Sequence, residues 1–158
     1  MHIQPYNHNQ IGAVIRLSLR AWAPVFESIQ GVMNPAVYAH FHPDRRVSQQ
    51  QAVEDVCAAE DTDVWVAVEG SVIVGFVAVK LHPDNSLGEI SMLAVDPDFQ
   101  RRDIGAALTH FALAWMQEAG MAVARVETGA DPGHGPARRT YEKAGFELLP
   151  IARYFKKL

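Results

Sequence analysis

Between Glu89 and Gly120 the spacing of apolar positions changes period once, and the change marks a strand, a turn and a helix. Ile90, Met92 and Leu93 to Val95 form a short β-type run that Asp96-Pro97 stops, because proline cannot continue a ladder. Beyond the turn, Ile104, Leu108, Phe111, Ala112, Trp115 and Ala119 recur at three- and four-residue spacing. That is one face of a helix, and Gly120 stands where a left-handed stop belongs.

The rest of the chain yields to the same reading. Residues 2–6 are a first strand. Ile11, Val14, Ile15, Ser18 and Trp22 share a helical face, with Asn9 as N-cap and Pro24 ending the run. Residues 25–31 are then a loop or broken turn. Asn34-Pro35 opens a short helix to about Phe41, and His42-Pro43-Asp44 is a turn. Ser48 to Gln51 has the form of a capping box, ahead of a helix whose buried face is Val53, Val56 and Cys57. Val64, Val66 and Val68 alternate against Trp65 and Ala67, a strand over 63–69 that turns at Gly70-Ser71 and returns over 72–81. Gly75 within it marks a bulge or a close backbone approach. After the long helix come a strand over 122–128, a Gly- and Pro-bearing loop over 129–135, and a helix from Pro136 to Gly145. Residues 146–155 supply one or two closing strands, broken at Pro150. Helices first, then an antiparallel meander, then β-α-β-α-β: the expectation is one α+β domain over residues 1–158 with a mixed, mostly antiparallel sheet flanked by helices.

Composition narrows the function. A chain of 158 residues with 49% apolar content can build one real core. A net charge of −4 disfavours a nucleic-acid partner, since neutralising phosphates needs a basic surface. The single cysteine, Cys57, excludes an intrachain disulfide and reads as a structural thiol rather than an acyl-carrying nucleophile. No signal peptide, membrane span or metal-ligand spacing is visible, so the expectation is a cytoplasmic protein with neither membrane nor metal. One local feature is chemically specific. Arg101, Arg102 and the backbone N–H groups of residues 101–106 converge on the positive end of the long helix, an anion site suited to phosphates.

Two motifs give that site a context. Gln100-Arg101-Arg102-Asp103-Ile104-Gly105 resembles the Gln/Arg-x-x-Gly-x-Gly/Ala signature of the GNAT superfamily of acetyl-CoA-dependent N-acetyltransferases, with Asp103 in place of the first glycine. A second family signature, Asn-x-x-Ala-x-x-x-Tyr-x-x-x-Gly-Phe, is matched at Ala137, Tyr141, Gly145 and Phe146, with His134 in place of asparagine. Both lie in order, each in its strand-turn-helix setting.

The resemblance implies an acyltransferase that moves an acetyl group from acetyl-CoA to a primary amine by direct transfer. Arg101, Arg102, Asp103, Ile104, Gly105 and Ala106 become the pyrophosphate loop. Asp103 is tolerated there as an N-cap that faces away and has a negative φ. Leu93, Ala94 and Val95 offer backbone groups to the pantetheine amides, where the central strand splays at a bulge. His134 either offers a ring N–H to the same arm or is an exposed loop histidine. Glu89 is the candidate base, with a pKa raised by partial burial, and Glu127 its competitor. Tyr141 is the candidate acid for the departing thiolate, and Trp22, Phe26 and Glu27 wall the acceptor or simply pack. The implied partner is a small-molecule or peptide amine, and a homodimer is left open. The rival readings are a non-catalytic acyl-CoA-binding module and a structural protein without a cofactor.

Overall fold

The computed structural model describes residues 1–158. Five strands form one sheet in sequential order: β1 (His2–Pro5), β2 (Thr62–Glu69), β3 (Val72–His82), β4 (Leu87–Val95) and β5 (Val123–Val126). The first four are antiparallel neighbours, and β4 and β5 are parallel. Five helices accompany them: α1 (Ile11–Val32), α2 (Pro35–Phe41), α3 (Arg45–Ala58), α4 (Ile104–Glu118) and α5 (Gly135–Lys143). None is long and apolar enough to cross a membrane.

The alternation read on β2 sorts its side chains between two cores. Trp65 and Ala67 pack with Ile104, Leu108, Ala112 and Met116 of α4 and with Tyr141 of α5. Val64, Val66 and Val68 pack with Val14 and Leu17 of α1 and Val53 of α3. The sheet is therefore covered on both faces, α4 and α5 on one and α1 and α3 on the other. A hydrogen bond from Gln49 Nε2 to Ser18 Oγ (2.7 Å) ties α3 to α1 inside the second layer.

Two bulges shift the register of the sheet. Gly75 pairs with Ala67 while Ile73 pairs with Val68, which leaves Val74 as the extra residue. Gly75 also makes the close approach its residue type suggested, since an added Cβ would sit 2.9 Å from the Ala94 carbonyl and 3.0 Å from Leu108 Cδ1. On β4, Val79 pairs with Ile90 and Ala78 with Met92, so Ser91 is extra. The parity change is visible in the packing: Ile90 faces the α4 core and Ala94 the α1 core, although both are even-numbered.

Four expectations are corrected. Helix α1 does not end at Pro24 but runs through it to Val32, so residues 25–31 are helix. Phe26 at 5% exposure, set edge-on to His42 at 5.0 Å, gives the second half its packing, which outweighs the missing N–H. Its N-terminus follows a 3-10 turn capped by Asn7, not Asn9. Helix α3 starts at Arg45 because the Asp44 carboxylate accepts from Arg46 and Val47 N–H, one turn ahead of Ser48. Ser48 instead bonds back to the Asp44 carbonyl at 3.1 Å. No closing strand forms over residues 146–155. Leu148 and Leu149 are adjacent rather than alternating, and with Ile151 they stand more than two-thirds exposed and flank a proline that has no N–H for a ladder. The segment is held by Phe146 against Tyr141 and Phe155 against Phe41 (5.3 Å). The other expected elements are present with bounds shifted by at most two residues, β5 ending at Val126 rather than 128, and Asn34 caps α2 and Gly120 (φ 82°) follows α4 as expected.

Candidate active site

The turn between β4 and α4 is built from the end of β4. Asp96 is almost buried, accepts the Asp98 N–H, and is gripped by both Nη1–carboxylate contacts of Arg20 from α1 (2.9 and 2.8 Å). Arg20 Nη2 also meets Asp98 at 2.8 Å. Gln100 donates its side-chain amide to the Val95 carbonyl (3.1 Å). With the strand end fixed, the chain reverses through Arg101 and Asp103, both left-handed (φ 61° and 59°).

Asp103 is therefore the N-cap of α4 by position, but its side chain makes no capping bond and its φ is positive, opposite to the expectation. This is the backbone conformation that the absent glycine would supply without strain. Its effect is to line up donors. The first backbone N–H after Gln100 with a protein acceptor is that of Ala107, bonded to the Asp103 carbonyl. The N–H groups of residues 101–106 are free, and left-handed residues interrupting a right-handed path fold such groups into a concave nest that suits an anion. Arg101 is exposed; Arg102 lies over the Phe99 ring at 5.1 Å and within 3.9 Å of Glu69.

Strand β4 provides the second half of the site. It pairs with β5 only over Leu87–Ile90, and beyond that the two diverge, leaving one edge of residues 91–95 without a strand. The Asp96 N–H goes to Val74 on β3, and the Val95 carbonyl goes the other way, to Gln100. By alternation Leu93 and Val95 present their backbone groups to the open edge, whereas Ala94 points its own at β3. Of the three residues expected there, two are placed to be shared.

Glu89 lies on the face of the sheet opposite α4, where Arg125 Nη2 (2.7 Å) and His82 Nε2 (2.8 Å) both reach its Oε2. Burial pushes the carboxyl up, but the bonds from Arg125 and His82 outweigh it and hold the pKa below the usual carboxylate value. The raised pKa expected for a base is thus reversed by an arginine that arrives from β5. Glu127 is exposed, with Arg153 at 3.9 Å.

Tyr141 is 8% exposed and set edge-on to Phe146, and burial pushes its phenol up to about 12. It stays protonated at neutral pH, and its hydroxyl has no partner among the side-chain hydrogen bonds. Helix α5 runs beside the start of α4, where Thr140 approaches Gly105. Of the expected acceptor wall, Trp22 packs on the α1 core, Phe26 is buried in the α1–α2 contact, and Glu27 alone is exposed. Cys57 is half-buried, and burial pushes its thiol up to about 11, so it is no nucleophile at neutral pH.

His134 is neither loose nor fully exposed. Its Nδ1 meets Asp131 Oδ1 at 2.5 Å, and Asp131 Oδ2 takes the hydroxyl of Ser28 on α1, also at 2.5 Å. The Ser28 oxygen in turn accepts the Gly133 N–H at 2.8 Å. Sequence reasoning did not single out Asp131, Ser28, His82 or Arg125. Asp131 had a local signal, an acid three residues before a histidine in a turn. Ser28 is 103 positions away from Asp131 and had none. No group of three or more His, Cys, Asp and Glu side chains is arranged to hold a metal ion.

Comparison with known proteins agrees with this architecture. The model of the acetyltransferase (GNAT) family matches residues 32–146. The mycothiol acetyltransferase of Streptomyces coelicolor is 30% identical over 117 residues, and that of Streptomyces griseus 32% over 117 residues. Each alignment covers 72% of this chain but 37% of the relative, so the chain spans little more than a third of their length. Among solved structures, a mutant of the BH1408 protein of Bacillus halodurans superimposes with a TM-score of 0.75 at 16% identity, covering 100% of both chains. The aminoglycoside 6'-N-acetyltransferase AAC(6')-IG of Acinetobacter haemolyticus does so at 0.70 and 14%, covering 100% of this chain and 99% of its own. The PaiA N-acetyltransferase of Thermoplasma acidophilum, in complex with coenzyme A, does so at 0.68 and 16%, covering 96% and 94%. With a matched family model spanning α2 to α5, one signature on the turn that builds the nest and the other on α5 and the residues that follow it, the chain belongs to the acetyltransferase (GNAT) family.

Proposed function

We propose that this protein binds acetyl-CoA and transfers its acetyl group directly to a primary amine of a small molecule or peptide, both substrates being held at once. The observation that carries this reading is the run of six free backbone N–H groups at residues 101–106, next to a central strand whose edge is open at Leu93 and Val95. The nest with Arg101 and Arg102 suits a pyrophosphate, and the open edge suits the two amides of a pantetheine arm. Holding the thioester beside the amine removes much of the entropic barrier without a covalent enzyme intermediate. Tyr141, a phenol that carries its proton at neutral pH and sits on the helix beside the nest, is the group we assign to protonate the departing thiolate. Glu89 is the weaker base, since a carboxylate held below its usual pKa takes up a proton poorly near neutrality. The mycothiol, aminoglycoside and PaiA relatives are consistent with amine acceptors of varied size, and the fold does not choose among them.

A thermal-shift titration tests the cofactor half. At a hundredfold its Kd, acetyl-CoA stabilises by ~2.7 kcal/mol. Pantetheine without the phosphates should give little shift, and Arg101→Ala with Arg102→Ala should reduce the acetyl-CoA shift. Equal shifts from pantetheine and acetyl-CoA would contradict an anion nest. Acetyl-CoA binding without acetyl transfer to any amine would instead support the non-catalytic acyl-CoA-binding module.

A further inference from the structure

Resting on that reading, we propose that His134 is the group that takes the proton from the acceptor amine, with Asp131 and Ser28 as its positioning residues. A carboxylate bonded to one ring nitrogen fixes the tautomer and leaves the other nitrogen to accept a proton, an arrangement that suits a histidine acting as a base. Here Asp131 Oδ1 occupies Nδ1, so the proton-accepting atom is Nε2. Burial pushes the Asp131 carboxyl up, but its bonds to Ser28 and His134 outweigh this and hold it ionised.

The loop is rigidly built around this pair. Arg138 Nη1 donates to the carbonyls of Gly129 and Asp131, and the Ser28 hydroxyl fills the second carboxylate oxygen. A Cβ at Gly129 would collide with both Asp131 Oδ1 and the His134 ring, so the backbone makes room for the contact. The side chains are 8% and 18% exposed, Asp131 sealed and His134 open enough to be reached.

Placement favours the role. His134 is the N-cap of α5, and Tyr141 follows seven residues later, two turns along nearly the same face, ~10.5 Å by helical rise. The far end of α5 lies beside the anion nest, through Thr140 and Gly105, while the His134 end is docked on α1 at Ser28. A thioester anchored at residues 101–106 and extended toward α1 therefore has the phenol and the imidazole on one side. Asp131 is the charged group that touches the ring; the elements packed here also carry Arg138 and Arg139 on α5 and the exposed Glu27, next to Ser28 in α1.

The step balances. Nε2 takes one proton from the acceptor ammonium and later returns it to solvent. The freed nitrogen lone pair attacks the thioester carbonyl carbon, a C–N bond forms and the C–S bond breaks. The second proton lost by nitrogen balances the one Tyr141 gives to sulfur, and solvent restores the phenol.

The test uses the full chain and acetyl-CoA with a panel of primary amines. His134→Asn should lower kcat by ~10²-fold or more, within the usual range for a base, while acetyl-CoA affinity changes by less than about threefold. The acid limb of its kcat/KM profile, where activity is lost as the base gains a proton, should flatten. Asp131→Asn should fold, lower kcat and displace that limb. A limb that persists in His134→Asn and vanishes in Glu89→Gln returns the base to Glu89 and overturns the proposal. A wild type that transfers to no amine contradicts the acetyltransferase reading itself. The ring is then decided without turnover, by nitrogen-15 NMR of labelled histidine: a bare Nε2 at neutral pH supports the proposal, and a protonated Nε2 with a bare Nδ1 overturns it.

Discussion

Asp103 occupies a left-handed conformation that costs an L-residue roughly 1–2 kcal/mol, and its side chain caps nothing in return. Asp103→Gly should therefore raise stability by ~1 kcal/mol, or about 2–4 °C in Tm for a domain of this size. It should also leave acetyl-CoA binding unchanged or tighter, because a carboxylate leaves the nest while the N–H stays. Calorimetry of folding and of binding reads both. A well-folded variant with much weaker binding would show that the Asp103 carboxylate has a positive role at the phosphates. Tyr141 has a separate signature. Tyr141→Phe keeps the ring in the α4 core and removes only the hydroxyl, so kcat should fall by ~10²-fold or more with acetyl-CoA affinity retained. Full kcat with chemistry shown to limit the rate would reduce Tyr141 to packing.

At the scale of elements, α1 carries the least expected feature, a proline in its interior. Pro24 removes the N–H that would bond the Arg20 carbonyl, and interior prolines cost ~3 kcal/mol. Pro24→Ala should raise the urea midpoint measurably. A loss of stability would mean that Pro24 is what seats Phe26 against His42 and Ser28 against Asp131. The junction of β3, β4 and β5 is pinned by Glu89, and its pH dependence has a definite sign. A carboxyl with a lowered folded pKa contributes stability above its ordinary value of 4.5, lost as pH falls through the lower folded one. Glu89→Gln should thus be less stable than wild type at pH 7, and the gap should close as pH falls below 4.5; a constant gap would mean the pair adds nothing.

What could be read in the chain divides along these lines. The period change at β4 and α4, the alternation on β2 and the stops at Asp96-Pro97 and Gly120 depend on neighbours in sequence, and all stand in the structure. The run of α1 through Pro24 depends on Phe26 meeting residues of α2, and the missing strands after Phe146 depend on a pairing partner. Neither is local. The site divides the same way. The nest at residues 101–106 is written in consecutive residues. The clamp on Glu89 joins β3, β4 and β5, and Ser28 meets Asp131 only because α1 continues past Pro24.

In the whole molecule, the proposed site draws on three parts from different layers. The nest opens α4, the unpaired edge follows the Ser91 bulge, and the loop before α5 is docked on α1. Cys57 lies elsewhere, on the opposite layer beside Tyr6, with its thiol pushed up to about 11. Cys57, the one cysteine, is thus set apart from the nest and the open edge, which supports the proposed direct transfer over an acyl-cysteine route. Initial rates with acetyl-CoA and a responsive primary amine both varied test this most directly. The expected result is an N-acetylated amine by mass spectrometry, double-reciprocal lines that intersect, and an unchanged pattern in Cys57→Ser. Parallel lines with an acetyl group trapped on the protein, or acetyl-CoA bound with no amine acetylated, would contradict it.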